Sequence, residues 1–256
     1  MADARWAPGT FVWRELMTDD VERARRFYGE LFGWTWKGEE VGGGHAYWLA
    51  SHAGRQVAGM MPKPPGPAMP TAWSSYVLVD DVDAAARRCT AAGGRVLKDP
   101  GDIPDVGRFA VLADPWGAVV FPFRASGSES PPPPGPPPAG TFCWETLVTP
   151  DPAKAIAFYG KVVGFGTARA PSGDGTVFTA GDAMVADVQP ARPGAPSYWA
   201  TYVAVEGAEA TRDRAARLGG KVVVPRIDVP EVGVVSVIAD PSGAALGLFQ
   251  AGSRAA

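Results

Sequence analysis

Glu15 stands between Trp13 and Met17 in a segment, Thr10 to Met17, that alternates as a β-strand does. A side-chain period of two puts Phe11, Trp13, Glu15 and Met17 on one face and Val12, Arg14 and Leu16 on the other. A carboxylate held among aromatic rings loses hydration and its pKa rises, which makes it a candidate general acid or base. At a solvent-facing strand edge, or paired with an arginine, the same residue would have no such role. The only histidines, His45 and His52, lie seven residues apart near one short strand. Two cysteines, Cys89 and Cys143, exclude a disulfide framework or a cysteine-based zinc site by arithmetic. Cys89 falls at an apolar helix position and Cys143 on the helix-facing side of its strand, so both read as inert core thiols. Gly42-Gly43-Gly44 neither follows a strand nor opens a helix, which argues against a phosphate cradle.

The 256 residues suit two domains of about 130 residues each. With 24 basic against 27 acidic residues and a net charge of −3, the chain lacks the basic excess that phosphate neutralisation demands of a nucleic-acid binder. No apolar run approaches the roughly 18 residues a membrane span needs, and Met1 to Pro8 has no signal-peptide pattern. The expectation is a cytoplasmic protein with neither nucleic-acid nor membrane partners.

The chain contains its own duplicate. Gly9 to Trp34 matches Gly140 to Phe165 at an offset of 131, with 12 identities in 26 positions. A second pair, from Trp73 to Gly117 and from Trp199 to Gly243, has an offset of 126. Between the halves, Pro131 to Pro134 and Pro136 to Pro138 predict a stiff polyproline linker. The expected domains are therefore 1–125 and 140–256, joined by 126–139. Each half reads as strand, helix and three strands, twice over. Asp19 with Glu22 predicts a helix start, Val21, Ala24, Phe27, Tyr28 and Leu31 recur at helical spacing, and Gly33 stops the helix. Strands follow near 34–37, 45–50 and 56–61. The second unit repeats the order, with a strand at 74–79, a helix at about 82–92 and strands near 95–97, 109–113 and 118–123. Asp114-Pro115-x-Gly117 carries type I turn residues between the last two.

Thr18-x-Asp20, Phe27-Tyr28 and Leu31-Phe32-Gly33-Trp34 resemble the first module of the vicinal oxygen chelate superfamily. That superfamily includes glyoxalase I, bleomycin- and fosfomycin-resistance proteins and extradiol dioxygenases. Val79-Asp80-Asp81-Val82-Asp83, Ala92-Gly93-Gly94 and Asp114-Pro115-Trp116-Gly117 resemble its second module, and the pattern is similar to tandem-domain actinobacterial proteins loosely labelled hydroxylases. The resemblance implies an α+β fold of tandem vicinal oxygen chelate domains, each two βαβββ modules forming a curved, half-open sheet around a pocket. In the metal-dependent families, ligands come from the first and last strands of each module. Counting from the motifs puts those positions at Trp13, Gly59, Ser74 and Phe121 in the first half, and at Trp144, about Ala186, Ala200 and Gly247 in the second. None of these offers an imidazole, carboxylate or thiolate, so the resemblance predicts no metal and no other cofactor. Neither histidine falls on a ligand position.

If the ligand-position face is the concave one, as the resemblance implies, Trp13 and Glu15 point inward with Ser74, Tyr76, Phe121 and Phe123. Trp144 and Tyr202 are their counterparts in the second half. Seven of nine tryptophans lie in the first half, which favours it as the working pocket and adds Trp48 and Trp73 to the expected lining. Aromatic walls suit a flat small molecule, although the same rings could simply fill a dead site. Glu15 is replaced by Thr146 in the second half, so the fold itself does not require it; Tyr76 is a weaker catalytic candidate, being repeated as Tyr202.

Two functions follow. One is a metal-independent binder of an aromatic or hydrophobic metabolite, as in antibiotic sequestration. The other is a metal-independent cyclase, isomerase or lyase of secondary metabolism with Glu15 as acid or base. A glyoxalase- or dioxygenase-type metalloenzyme is the least supported. The halves are expected to pair within one chain, compatible with a monomer.

Overall fold

Duplicated patterning in the sequence becomes duplicated architecture in the computed structural model, which describes residues 6–41, 45–64, 69–127, 136–171, 173 and 175–252. The proline run at 131–134, the three glycines at 42–44 and the side chain of His45 lie outside the described residues. The first half runs β1 (Phe11–Thr18), α1 (Val21–Phe32), β2 (Thr35–Val41), β3 (His45–His52), β4 (Arg55–Pro62), β5 (Ala72–Leu78), α2 (Val82–Ala91), β6 (Arg95–Ile103), β7 (Gly107–Ala113) and β8 (Val119–Ala125). The second half repeats it as β9 (Phe142–Thr149), α3 (Pro152–Val162), β10 (Gly166–Arg169), β11 (Thr176–Ala180), β12 (Ala183–Pro190), β13 (Tyr198–Ala204), α4 (Ala208–Arg217), β14 (Lys221–Val229), β15 (Gly233–Ala239) and β16 (Ala245–Ala251).

Each half makes one open, eight-stranded mixed sheet, with strand orders β2-β3-β4-β1-β5-β8-β7-β6 and β10-β11-β12-β9-β13-β16-β15-β14. The central strands pair in parallel, β1 with β4 and β5 with β8, and the outer strands are antiparallel. The fold is α+β, as the pattern predicted. None of the described helices is long and apolar enough to cross a membrane.

Helix boundaries follow local chemistry. Asp20, rather than the expected Asp19, caps α1, its carboxylate accepting from the Arg23 amide at 3.0 Å. Asp20 directly precedes the first helical residue, which is where a capping side chain reaches the free amides. Asp19 instead pairs with Lys63 at 2.6 Å. Gly33 ends the helix at φ 73°, a left-handed conformation that glycine adopts without a Cβ penalty. The sixth strand is longer than its short apolar run suggests, Arg95–Ile103, and bulges on both sides of Lys98 carry it past Pro100. It is an edge strand, so the missing proline N–H removes no ladder bond.

The chain forms two compact units, neither of which is a contiguous half. One comprises Met1–Val12, Ser75–Gly135 and Glu145–Trp199; the other comprises Trp13–Ser74, Pro136–Trp144 and Ala200–Ala256. Each therefore packs a module of the N-terminal half against a module of the C-terminal half. In the first unit, Val77, Ala85, Cys89, Leu112 and Val120 share a core with Leu147, Phe158, Tyr159 and Phe178. In the second, Leu16, Phe27, Tyr28, Leu31 and Met60 share one with Val203, Ala215, Ile238 and Leu248.

Candidate functional site

The parallel register of β1 and β4 sets Glu15 beside Gly59 and Leu16 beside Met60. Leu16 and Met60 are fully buried in the core of the second unit, so Glu15 and Gly59 look to the other side of the sheet. Gly59 leaves room there: a Cβ at this position would overlap the Tyr47 hydroxyl and come within 3.0 Å of Trp13 Nε1. Into that room β3 delivers the Tyr47 phenol. The Trp13 indole N–H donates to Tyr47 Oη at 2.9 Å, and Tyr47 is hydrogen-bonded to Glu15. Burial, and then the negative charge of Glu15, hold the phenol well above its ordinary pKa, so it keeps its proton and donates to the carboxylate. Glu15 is 6% exposed, whereas Trp13 and Tyr47 are only partly covered. The result is an aromatic surface with one carboxylate beneath it.

Tyr47 was not among the residues the sequence pointed to. A glycine inside an otherwise apolar strand signals close approach by another group, and Gly59 carried that signal. Trp48, the expected wall residue, faces the helix layer instead. It pairs in register with buried Met60 and is covered by the Arg25 guanidinium of α1, 3.4 Å from the ring centroid. Trp73 is also a correction to the expected lining. Alternation along β5 turns it into the core, where Nε1 donates to Tyr28 Oη at 2.9 Å and the ring meets Phe142 edge-on at 5.2 Å. Ser74 is partly exposed on β5.

The remaining first-half candidates belong to the other compact unit and meet one another there. Tyr76 packs on Phe121 at 4.8 Å, Phe109 at 6.0 Å and Phe123 at 6.1 Å, and Tyr76 and Phe121 are buried. In this unit Phe11 packs on Trp199 and Phe165, so it does not share the surroundings of Trp13 as simple alternation suggested. Cys89 lies in the same core, where burial pushes its thiol up to about 11, as befits an inert thiol.

In the second half, β9 and β12 pair Thr146 with Asp187 as β1 and β4 pair Glu15 with Gly59. The fourth inherited position is thus Asp187; Ala186, where counting had put it, is fully buried in the core. Thr146 Oγ1 donates to Asp187 at 2.5 Å and Gln189 Nε2 donates to its other oxygen at 2.7 Å. Tyr202 pairs with Gly247, and a Cβ on Gly247 would overlap its ring, so the phenol lies across that inherited position. Trp144 is partly exposed. The donors do not fit a divalent ion: indole at 13, glycine at 59, phenyl at 121 and glycine at 247 supply none, and Asp187 is one carboxylate with its oxygens engaged. Among the described residues, no three His, Cys, Asp or Glu side chains converge as a metal cluster.

Two open cavities lie elsewhere. One of about 530 Å³ in the second unit is lined by Phe32, His52, Gly140, Glu206 and Arg214. One of about 550 Å³ in the first is lined by Trp6, Leu78, Asp80, Phe123 and Arg124. His52 Nε2 sits 3.0 Å from the Ala139 carbonyl and Trp34 donates to that of Gly140, so both hold the chain entering β9.

The profile of the Glyoxalase/Bleomycin resistance protein/Dioxygenase superfamily matches residues 10–120 and again 142–248. CFP32 of Mycobacterium tuberculosis, whose name carries a provisional glyoxylase label, is 38% identical over 255 residues, covering 94% of each chain. The anthracycline biosynthesis protein DnrV of Streptomyces peucetius is 34% identical over 271 residues, covering 96% of this chain and 94% of DnrV. Among solved structures, the Mn(II)-bound glyoxalase of Novosphingobium aromaticivorans superposes with a TM-score of 0.66 at 14% identity, covering 96% of this chain and 83% of that one. The 2,2',3-trihydroxybiphenyl 1,2-dioxygenase of Sphingomonas wittichii gives 0.59 at 18% identity, covering 96% and 91%. At such identities the structural likeness speaks for the fold alone.

Proposed function

The chain belongs to the Glyoxalase/Bleomycin resistance protein/Dioxygenase superfamily, and on that premise we propose that it is a metal-independent small-molecule-binding protein of secondary metabolism that holds a flat aromatic metabolite. The observation that carries this reading is the replacement of inherited ligand positions on β1 and β4 by Trp13 and Gly59, with the Tyr47 phenol filling the space above the glycine. Such a surface binds by stacking and apolar contact, not by coordination. The full-length similarity to DnrV, named for anthracycline biosynthesis, supports a fused-ring aromatic as the ligand class. In this reading the functional halves are 1–125 and 140–256, joined by 126–139.

The test is calorimetric titration of the purified chain with an anthracycline aglycone, alongside elemental analysis. Saturable binding that Trp13→Ala weakens by about 1 to 3 kcal/mol is expected, with no stoichiometric transition metal. A chelator-resistant metal at about one per half would overturn metal independence, and absence of binding would overturn the binder.

A second reading is favoured by one observation. Glu15 is buried on the Gly59 side of the sheet and is hydrogen-bonded by Tyr47, so it is positioned as a general base would be. In that reading the protein is a metal-independent cyclase, isomerase or lyase acting on the same class of molecule.

A further inference from the structure

The hydrogen bonds at Glu15 have a direction. An indole N–H can only donate, so the Trp13–Tyr47 contact fixes Tyr47 Oη as acceptor from Trp13. The phenol has one proton, and it goes to Glu15. An ionised carboxylate can only accept. Every donor in the chain Trp13, Tyr47, Glu15 therefore points toward the carboxylate, and a ligand that reaches it must itself bring a donor. Trp13 and Tyr47 are partly exposed, so the surroundings are ring faces that favour a planar ligand, and a neutral hydroxyl loses less hydration there than an ammonium.

From this arrangement, and resting on the binding reading above, we infer that the site selects aromatic ligands bearing a phenolic or enolic hydroxyl, which donates to Glu15 while the ring stacks on Trp13. Tyr47 is a positioning residue. It holds the carboxylate at the edge of the stacking surface, and Gly59 is the vacancy that lets it do so. Thr146 stands in place of Glu15 in the second half, so this selectivity belongs to the first half only.

The test uses the full-length chain and two probes, 2,6-dihydroxyanthraquinone and its dimethyl ether, titrated by calorimetry below the pKa of the probe hydroxyls. The pair has the same ring system, but only the first can donate. The expected result is roughly tenfold tighter binding of the dihydroxy probe, the size of one hydrogen bond to a charged acceptor. Glu15→Gln should reduce that preference to less than about threefold, while Trp13→Ala weakens both probes together. Equal binding of the two probes by the wild-type chain, or tighter binding of the ether, overturns the inference. If both bind equally and Trp13→Ala still weakens them, the aromatic-binding reading survives and only the hydroxyl selectivity falls. If neither binds, both readings fall. The wild-type comparison decides the matter even should Glu15→Gln fail to fold.

Discussion

The Tyr28 hydroxyl donates to the Asp240 carboxylate at 3.1 Å, across 212 residues of sequence. Trp73 Nε1 donates to the same hydroxyl at 2.9 Å, and Asp240 in turn accepts from the Ser242 and Ala244 amides of its own turn. The other compact unit repeats the arrangement. There Tyr159 donates to Asp114 at 3.3 Å, Trp199 donates to Tyr159 at 3.0 Å, and Asp114 accepts from the Trp116 and Ala118 amides. The helix tyrosine of one half is thus bonded to the Asp-Pro turn of the other, which gives two prominent sequence motifs a common structural task.

Tyr28→Phe keeps the ring packing but leaves the Trp73 N–H and one Asp240 oxygen without this partner in a buried setting. The expected loss is about 1 to 3 kcal/mol of unfolding free energy, read from urea denaturation. Tyr159→Phe should cost a similar amount, and the two losses should add, because the residues sit in separate units with no shared partner. A loss within experimental error for both would show these bonds to be incidental.

Asp114 makes stability depend on pH with a definite sign. Burial raises its carboxyl above the ordinary 3.8, against the lowering effect of the Ala118, Trp116 and Gly117 amides and the Ser197 hydroxyl. A carboxyl with a raised folded-state pKa contributes stability that is fully present below the unfolded pKa and is lost as pH rises through the folded one. The difference in unfolding free energy between the wild type and Asp114→Asn should therefore shift in favour of the wild type as pH falls through the folded value toward 3.8. Asp83, Asp151 and Asp228 are lowered by Arg108, Lys154 and Arg226, and their stabilisation disappears on acidification. That opposite trend is common to both proteins and cancels in the difference. A difference that does not change with pH would contradict the assignment.

Each compact unit takes one module from each half, so a cut in the linker should not release two independent domains. Fragments 1–127 and 136–256, expressed separately, are expected to self-associate or unfold readily, since each exposes helix faces whose partners are in the other half. Co-expressed, they should copurify as a one-to-one pair; the intact linker only raises the effective concentration, to roughly millimolar. Two stable, monomeric fragments with no mutual affinity would show that the halves fold alone.

The strands, helices and glycine stops were readable because they rest on local rules: Gly33 ends α1, and the Asp-Pro turns join β7 to β8 and β15 to β16. What required the structure was register. Counting missed Asp187 by one because the offset between Gly59 and Asp187 is 128, intermediate between the 131 and 126 of the flanking blocks, so the length difference is absorbed on both sides of the strand. The identity of Tyr47 as a site residue, and of Trp48 and Trp73 as core residues, likewise hangs on strand facing, which a one-residue slip reverses. Nor does composition reveal which module packs against which, since all four present similar apolar helix faces. The carboxylate at 15 was legible because it breaks the repeat; the phenol that orients it was signalled only by a glycine.

Glu15→Gln separates the binder from the enzyme. The substitution keeps the side-chain shape and lets Tyr47 still donate to an oxygen, but it removes the charge and the capacity to take a proton. In the enzyme reading, turnover of a fused-ring hydroxylated substrate should fall by a factor of roughly 100 or more with a much smaller change in affinity, the usual signature of a lost general base. The rate of the wild type should also follow the ionisation of one carboxyl, rising with pH as Glu15 loses its proton, and that limb should vanish in the variant. In the binder reading the wild type turns nothing over, and the variant differs only in its preference among ligands. Product analysis by mass spectrometry after prolonged incubation of the wild type with the substrate makes the distinction: conversion that Glu15→Gln abolishes establishes catalysis, and full recovery of unaltered ligand from a saturated complex establishes sequestration.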